Sequence, residues 1–391
     1  MTSTPHTLLK EWLPVIGITI AGFIFNTSEF VPIGLLTDIA ADFHISEAYA
    51  GLLITVYAWV VALMSLSLML MVSHVEYRKL LLGVITLFVA SHLLSALSTD
   101  YTTLMASRVG VACSHAIFWS IASPLAVRVA PQGHGATALS LIVSGTSIAM
   151  IAGLPLGRII GLQVGWRMTF FCIAALAIGV LLMLVIVFPK VPSRSSLSLQ
   201  KLPSLFSNRA LTGVYLLTLI TIIGHYTGYS YIEPFLAQTA TLSNSHITSI
   251  LVLFGAAGIL GSIFFSRSFN HKPYLFLYIA TGGVAIALSL MHLCSFHIVT
   301  IIVLCIGWGI AITIYNLVFQ AEIIRLAPND TAIAMSIYSG IYNVGIGGGA
   351  LAGGYVCTYA TIDYIGYAGG LIAIPAFVYC AYRLVPLLKT H

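Results

Sequence analysis

The chain has 391 residues, 59% of them hydrophobic and only 7% charged, with a net charge of +5. So apolar an exterior is useless to a soluble protein of this length, which excludes a cytosolic or secreted globular domain and points to a membrane protein with many crossings. The positive excess reads as basic loops on one side of a bilayer, and no nucleic-acid partner is expected.

Each crossing takes ~20 predominantly apolar residues. Twelve such runs follow one another: 12–36, 48–72, 79–97, 102–130, 137–161, 166–188, 210–235, 246–268, 273–293, 297–325, 331–356 and 362–387, numbered here as spans 1 to 12. The expected fold is therefore all-α, a polytopic membrane protein. Span 1 is not a cleavable leader: it is too long and runs into Glu29-Phe30-Val31-Pro32 instead of a small-residue cleavage site.

With a cytoplasmic N-terminus, the inner loops and tails hold Lys10, Arg78, Lys79, Arg128, Lys190, Arg194, Lys201, Arg209, Arg267, Lys272, Arg325, Arg383 and Lys389. Arg158 and Arg167 flank the external turn between spans 5 and 6. The other outer loops carry Asp38, Asp42, Glu47, Asp100 and Asp363 and no Lys or Arg. That asymmetry supports twelve spans, because one missed span would reverse every later loop. Both termini are then cytoplasmic.

The most polar long connection, 189–209, is rich in Pro, Ser and basic residues and separates six spans from six. It divides the chain into an N-terminal bundle, 1–188, and a C-terminal bundle, 210–391. The halves echo each other. Glu29-Phe30-Val31-Pro32 in span 1 answers Tyr231-Ile232-Glu233-Pro234 in span 7. Ser144-Gly145 with Gly153 in span 5 answers Ser339-Gly340 with Gly348 in span 11. Two related bundles suit a transporter with its substrate site between them.

Charge inside an apolar run costs at least ~2.5–3.5 kcal/mol and usually faces a cavity or pathway. Glu29, Arg108 and Glu233 are such charges. Glu29 and Arg108 fall at similar depth, so the two can pair, either as a structural salt bridge between spans 1 and 4 or as a proton-coupled pair. His115 and Trp119 continue the Arg108 face of span 4, and Asn26 lies one turn from Glu29. Together they draw a polar stripe toward mid-membrane. His225, Tyr229 and Glu233 form the matching face of span 7, with Glu233 either a solvated interfacial residue or a participant. His92 in span 3 has no evident partner and is read as structural.

Tyr57, Trp119, Tyr229, Trp308, Tyr315, Asn316, Tyr342 and Asn343 are candidates to line a substrate cavity, since aromatic faces stack on sugars and on drug-like cations alike. Asn26 and His225 join that set. Glycines 153, 157 and 161 with Pro155 in span 5, and Gly345 to Gly349 in span 11, allow close helix approach. The six cysteines lie within or at the ends of spans without CxxC spacing, which suits neither disulfides nor zinc. No GxxxxGK[ST] loop, HExxH or nucleophile–base constellation is present. No cofactor, metal or enzymatic activity is expected, and ATP is not the energy source. An uptake symporter and a ligand sensor are the rival readings. A sensor would carry an output domain, for which no loop is long enough.

Gly153-x-Pro155-x-Gly157-x-x-x-Gly161 resembles the span-5 antiporter motif of the twelve-span drug:proton antiporter branch of the major facilitator superfamily. Arg108 in Leu104-x-x-x-Arg108 matches that branch's span-4 arginine, and Gly165-Trp166-Arg167-Met168-Thr169-Phe170 its usual start of span 6. Asn26 to Leu36, Tyr57 to Ser65, His115 to Ser120 and Tyr229 to Phe235 are similar to the bacterial sugar efflux transporters. The resemblance implies two pseudo-symmetric six-helix bundles rocking about a central cavity. It also implies a monomer in the bacterial inner membrane that exchanges protons for small sugars such as arabinose, galactoside analogues such as IPTG, or amphipathic drugs. One departure stands out. The superfamily's loop between spans 2 and 3 has Gly and Asp before its basic pair. Here the run is Ser73-His74-Val75-Glu76-Tyr77-Arg78-Lys79, which leaves Arg78 and Lys79 as a cytoplasmic gate with Glu76 in place of the aspartate.

Overall fold

The computed structural model describes residues 5–72, 74–132, 134–192, 202–269, 272–328 and 331–390. Helix is the only regular structure among them. Ten helices are long and apolar enough to cross a membrane. The two remaining spans also form, but differently. Span 5 is a helix over Gly135–Ile148, a wide π turn over Ala149–Gly153 and a second helix over Leu154–Val164. Span 11 is one helix, Thr331–Tyr359, diluted by glycine, tyrosine and asparagine.

Proline explains most departures from straight helix. Its ring clashes with the carbonyl four residues back and supplies no N–H to it. The π turn in span 5 widens the chain directly ahead of Pro155. Span 1 ends at Gly34, two residues after Pro32. Span 7 crosses over Arg209–Gln238 with one interruption: the helix Arg209–Tyr229 stops, and Ile232–Gln238 restarts with Pro234 in its first turn, where the missing N–H goes unneeded. Gly165, at φ 92°, makes the tight turn from span 5 into span 6.

Span 4 begins at Tyr101 behind an Asp100 cap. Asp100 accepts from the Thr103 hydroxyl at 2.7 Å and the Thr103 amide at 2.8 Å, and these bonds hold its carboxyl below the usual carboxylate range. The cap is thus complete above that ordinary range and is lost as pH falls through the lowered value.

Packing groups the chain into two compact units. The first comprises Met1–Leu35 and Leu63–Ser196. It is centred on Phe25, whose ring stacks on Phe88 at 3.9 Å and on Phe118 at 4.2 Å. The second comprises Leu36–Ala62 and Leu197–His391, so the short helix Leu36–Asp42 and the first half of span 2 pack with spans 7 to 12. There the Trp59 indole donates to the Val344 carbonyl at 3.3 Å. Leucines, isoleucines and aromatics such as Leu63, Ile186, Leu371 and Tyr382 are exposed, as a lipid-facing belt requires.

Residues 189–192 are strapped to the turn before span 3. The Tyr77 amide donates to the Val191 carbonyl at 3.0 Å, and the Val191 amide donates to Glu76 Oε1 at 3.1 Å. Arg128 donates to the Pro192 carbonyl at 3.3 Å with its guanidinium over the Tyr77 ring. Arg78 donates to the Val185 carbonyl at 2.7 Å, and Lys79 is exposed. Of the rest of the 189–209 connection, 193–201, with Arg194 and Lys201, lies outside the described residues, and 202–207 forms a short helix.

Spans 8 and 10 touch backbone to side-chain root. A Cβ on Gly309 would run into the Phe254 carbonyl, whereas one on Gly307 would meet open space. Gly309→Ala should therefore lower stability by roughly 1–3 kcal/mol through overpacking, and Gly307→Ala should be neutral or stabilising by up to about 1 kcal/mol. Thermal unfolding of the two variants in one detergent checks this.

Candidate transport site

Pro32 sets up the first unit's polar centre. In an unbroken helix the residue-32 amide would donate to the carbonyl of Ser28, but Pro32 has no N–H. Arg108 takes that acceptor. Its Nη1 lies 3.2 Å from the Ser28 carbonyl oxygen and 3.4 Å from Ser28 Oγ. The guanidinium is 1% exposed. The next residue, Glu29, points its Oε2 to within 3.7 Å of His115 Nε2. The sequence reading set Glu29 against Arg108, with His115 deeper along span 4. The geometry brings the imidazole up to Glu29 as well, and holds the guanidinium, whose charge acts on Glu29, on the carbonyl of the residue before it. His115 also lies against Phe25 and Trp119, at 6.2 and 6.1 Å between ring centres. Asn26 is buried one turn away.

His92 does have a partner. Its Nε2 lies 2.8 Å from Ser28 Oγ and its Nδ1 3.0 Å from the Phe88 carbonyl. The two residues are 64 apart in sequence, so no local pattern announces the contact.

Span 5 packs on span 1 through a ladder. Gly153, Gly157 and Gly161 face Thr27, Val31 and Leu35, both series with the four-residue spacing of one helix face. Added Cβ atoms would overlap those three side chains. Arg158 does not flank an external turn. It is 1% exposed, and its Nη1 donates at 2.7 Å to the carbonyl of Gly34, where span 1 stops. Arg167 does lie at the start of span 6, donating to the Ser98 carbonyl at 2.9 Å.

The second unit gathers rings instead of charges. Trp308 Nε1 donates to His225 Nδ1 at 3.0 Å. His225 stacks on Tyr229 at 5.1 Å, and Tyr229 stacks on Phe254 at 5.0 Å. The Trp308 N–H and His225 Nδ1 are thus spent on each other. Further along, Tyr315 stacks on Phe319 at 4.2 Å, and Tyr338 and Tyr342 lie 5.8 Å apart. Asn343 Nδ2 donates to the Ser339 carbonyl at 3.0 Å, while its Oδ1 and the Tyr338 hydroxyl are buried without a hydrogen-bond partner among the described residues. Asn316 is half-buried and Tyr57 fully buried. Sequence reasoning missed Tyr338, whose signal was its place one helical turn before Tyr342.

Glu233 is buried, not solvated, at 2% exposure. Its Oε2 accepts from the Thr37 hydroxyl at 2.7 Å and the Thr37 amide at 3.3 Å, which caps the start of the helix Leu36–Asp42 from span 7. Thr37 Oγ1 also lies 3.1 Å from Glu47, which accepts from Gln238 at 2.7 Å.

The sequence profile of the Major Facilitator Superfamily matches residues 18–332, far more than half of the chain. This chain belongs to that superfamily. Solved transporters share its fold over nearly its whole length. A bacterial homolog of the human lysosomal transporter Spinster, inward-facing and unoccupied, is 16% identical with a TM-score of 0.64, covering 99% of this chain and 96% of its own. A POT family transporter in complex with a thioalcohol-conjugated peptide is 11% identical with a TM-score of 0.77, covering 94% and 95%. The human organic anion transporter TETRAN is 14% identical with a TM-score of 0.67, covering 97% and 100%. The superfamily member described here is a multi-pass membrane transporter for a small-molecule substrate, with a transporter's architecture and not an enzyme's.

The Pro32–Arg108 relation is testable by a double-mutant cycle. Arg108→Leu should cost about 1–3 kcal/mol in unfolding free energy, because it strands a buried carbonyl. In a Pro32→Ala background the same change should cost less, since the new amide supplies the donor.

Proposed function

We propose that this transporter is a proton-coupled antiporter that exports small sugars, with arabinose and galactoside analogues such as IPTG as its substrate class. The observation that carries the reading is the first unit's buried set, in which the Glu29 carboxylate lies 3.7 Å from an imidazole and one residue from the carbonyl that holds Arg108. A carboxyl so placed binds and releases a proton with a nearby base and a fixed positive charge to balance it. Glu29 is the proton carrier. His115 exchanges the proton with it, and Arg108 is the fixed charge.

Substrate and proton compete through the two conformational states, because coupling needs a difference in affinity between them. The bundles 1–188 and 210–391 alternate access across the connection 189–209, in the bacterial inner membrane with both termini cytoplasmic and the protein a monomer. On the substrate side, Tyr57, Trp119, Tyr229, Tyr315, Asn316, Tyr342 and Asn343 offer ring faces and neutral polar groups. The unpartnered Asn343 Oδ1 favours a ligand rich in hydroxyls. Gly153, Pro155, Gly157 and Gly161 form the seam that keeps Glu29 at its depth. Glu233 serves the cycle by holding the 36–42 helix, and Arg78 and Lys79 belong to the cytoplasmic gate.

A second reading, a drug antiporter with no physiological sugar, draws on the His225–Tyr229–Phe254 stack, since stacked rings also suit amphipathic cations. Proteoliposomes containing a pH dye separate the readings. Arabinose or IPTG set against an imposed proton gradient should drive proton flux with the wild type. Glu29→Gln should bring that flux to the level of empty liposomes. Flux driven by amphipathic cations and by no sugar selects the second reading. Proton flux running in the same direction as the sugar makes the protein a symporter.

A further inference from the structure

Hydroxyls within the spans mostly turn back on their own helix. Thr19 donates to the Val15 carbonyl, Ser114 to Gly110, Ser120 to Ala116, Thr146 to Ile142 and Thr227 to Ile223, each four residues back. Ser28 is different. Its Oγ lies 2.8 Å from His92 Nε2 on span 3 and 3.4 Å from Arg108 Nη1 on span 4. Serine and histidine are both fully buried.

The directions of these bonds follow from which groups can donate. The Phe88 carbonyl, 3.0 Å from His92 Nδ1, only accepts, so Nδ1 carries the ring hydrogen. In the neutral ring Nε2 is then an acceptor, and its hydrogen bond comes from the Ser28 hydroxyl. That leaves the serine oxygen's lone pairs for Arg108, which only donates. The imidazole itself is boxed by Phe88 at 4.1 Å and Phe170 at 6.1 Å between ring centres, which fixes its plane.

We propose that His92 is a positioning residue for the Glu29–His115–Arg108 centre. By accepting the Ser28 hydrogen it keeps that hydroxyl off its own helix and turns its oxygen toward the guanidinium. Arg108 is thereby held by two oxygens of one residue, side chain and carbonyl, directly beside Glu29. Without His92 the serine returns to the carbonyl of Ile24, and the guanidinium loses its contact with the serine Oγ. The role in coupling rests on the proton-coupled reading above. The hydrogen-bond chain from His92 through Ser28 to Arg108 does not.

The test therefore has two arms. In the first, protein with ¹⁵N-labelled histidine and arginine side chains is examined by NMR in lipid nanodiscs. One of the 12 histidines should be a neutral Nδ1–H ring whose signal is absent in His92→Gln and whose Nε2 resonance moves in Ser28→Ala. The Arg108 Nη signals, identified by their loss in Arg108→Leu, should move in His92→Leu and Ser28→Ala. They should stay near their wild-type position in His92→Gln, whose amide oxygen replaces the Nε2 acceptor. A His92 ring carrying its hydrogen on Nε2, or Arg108 signals indifferent to His92→Leu, overturns the proposal.

In the second arm, substrate-driven proton flux in proteoliposomes should fall about tenfold in His92→Leu and in Ser28→Ala, the scale of one hydrogen bond to a charged group. It should fall no further in the double variant and should recover in His92→Gln. Losses that multiply in the double variant, or a Gln variant as poor as Leu with an unchanged melting temperature, remove the positioning role. Absence of proton flux in the wild type with every substrate refutes the antiporter reading, and the spectra still decide whether His92 orients Ser28 and Arg108.

Discussion

The donor that Pro32 withholds is the constraint around which the first unit is arranged. A helix carbonyl without its N–H is costly where water is absent, and a guanidinium without acceptors is costlier still. Arg108 and the Ser28 carbonyl relieve each other, at 3.2 Å. That contact joins span 1 to span 4 and fixes a permanent positive charge one residue from Glu29. The same solution recurs a few residues on, where span 1 stops and Arg158 takes the Gly34 carbonyl. Both arginines thus do two jobs, completing a broken helix and supplying charge at a chosen depth.

The second unit solves a different problem. Its interior holds rings and neutral polar groups: Trp308 on His225, His225 on Tyr229, Tyr229 on Phe254, and the tyrosines of spans 10 and 11 beyond them. It also buries two carboxylates, each with its own partner: Glu233 is engaged at the start of the 36–42 helix, and Glu322 accepts from Arg325 at 2.8 Å.

Span positions were legible in the sequence because hydropathy is a strong signal over 20 residues; most ends agree to within a few residues. The break inside span 7 was not, since the effect of Pro234 on the backbone before it does not show in a continuous apolar run. Glu29, Arg108 and His115 were legible as polar residues where polarity is expensive. The approach of His115 to Glu29 was not, because a one-dimensional estimate of depth ignores how far and in which direction a long side chain reaches. His92 was passed over for the same reason: its partner is on another helix. Arg158 was read as flanking the external turn because it stands near the end of an apolar run, and the backbone break at Gly34 explains why it is buried. Glu233 read as a solvated interfacial residue or a participant, and the 36–42 helix, too short to predict, supplies its hydrogen-bond donors.

The glycine ladder of span 5 has a bearing on how variation in this gene is to be interpreted. Gly153, Gly157 and Gly161 carry no functional group, yet each meets a side chain of the helix that bears Glu29. One added methyl group there must push aside a side chain within two to six residues of Glu29, or the backbone that carries it. A selection for loss of transport would recover these glycines alongside the acid and the arginine. Ranked by phenotype alone, three residues without chemistry would be indistinguishable from the buried charged ones.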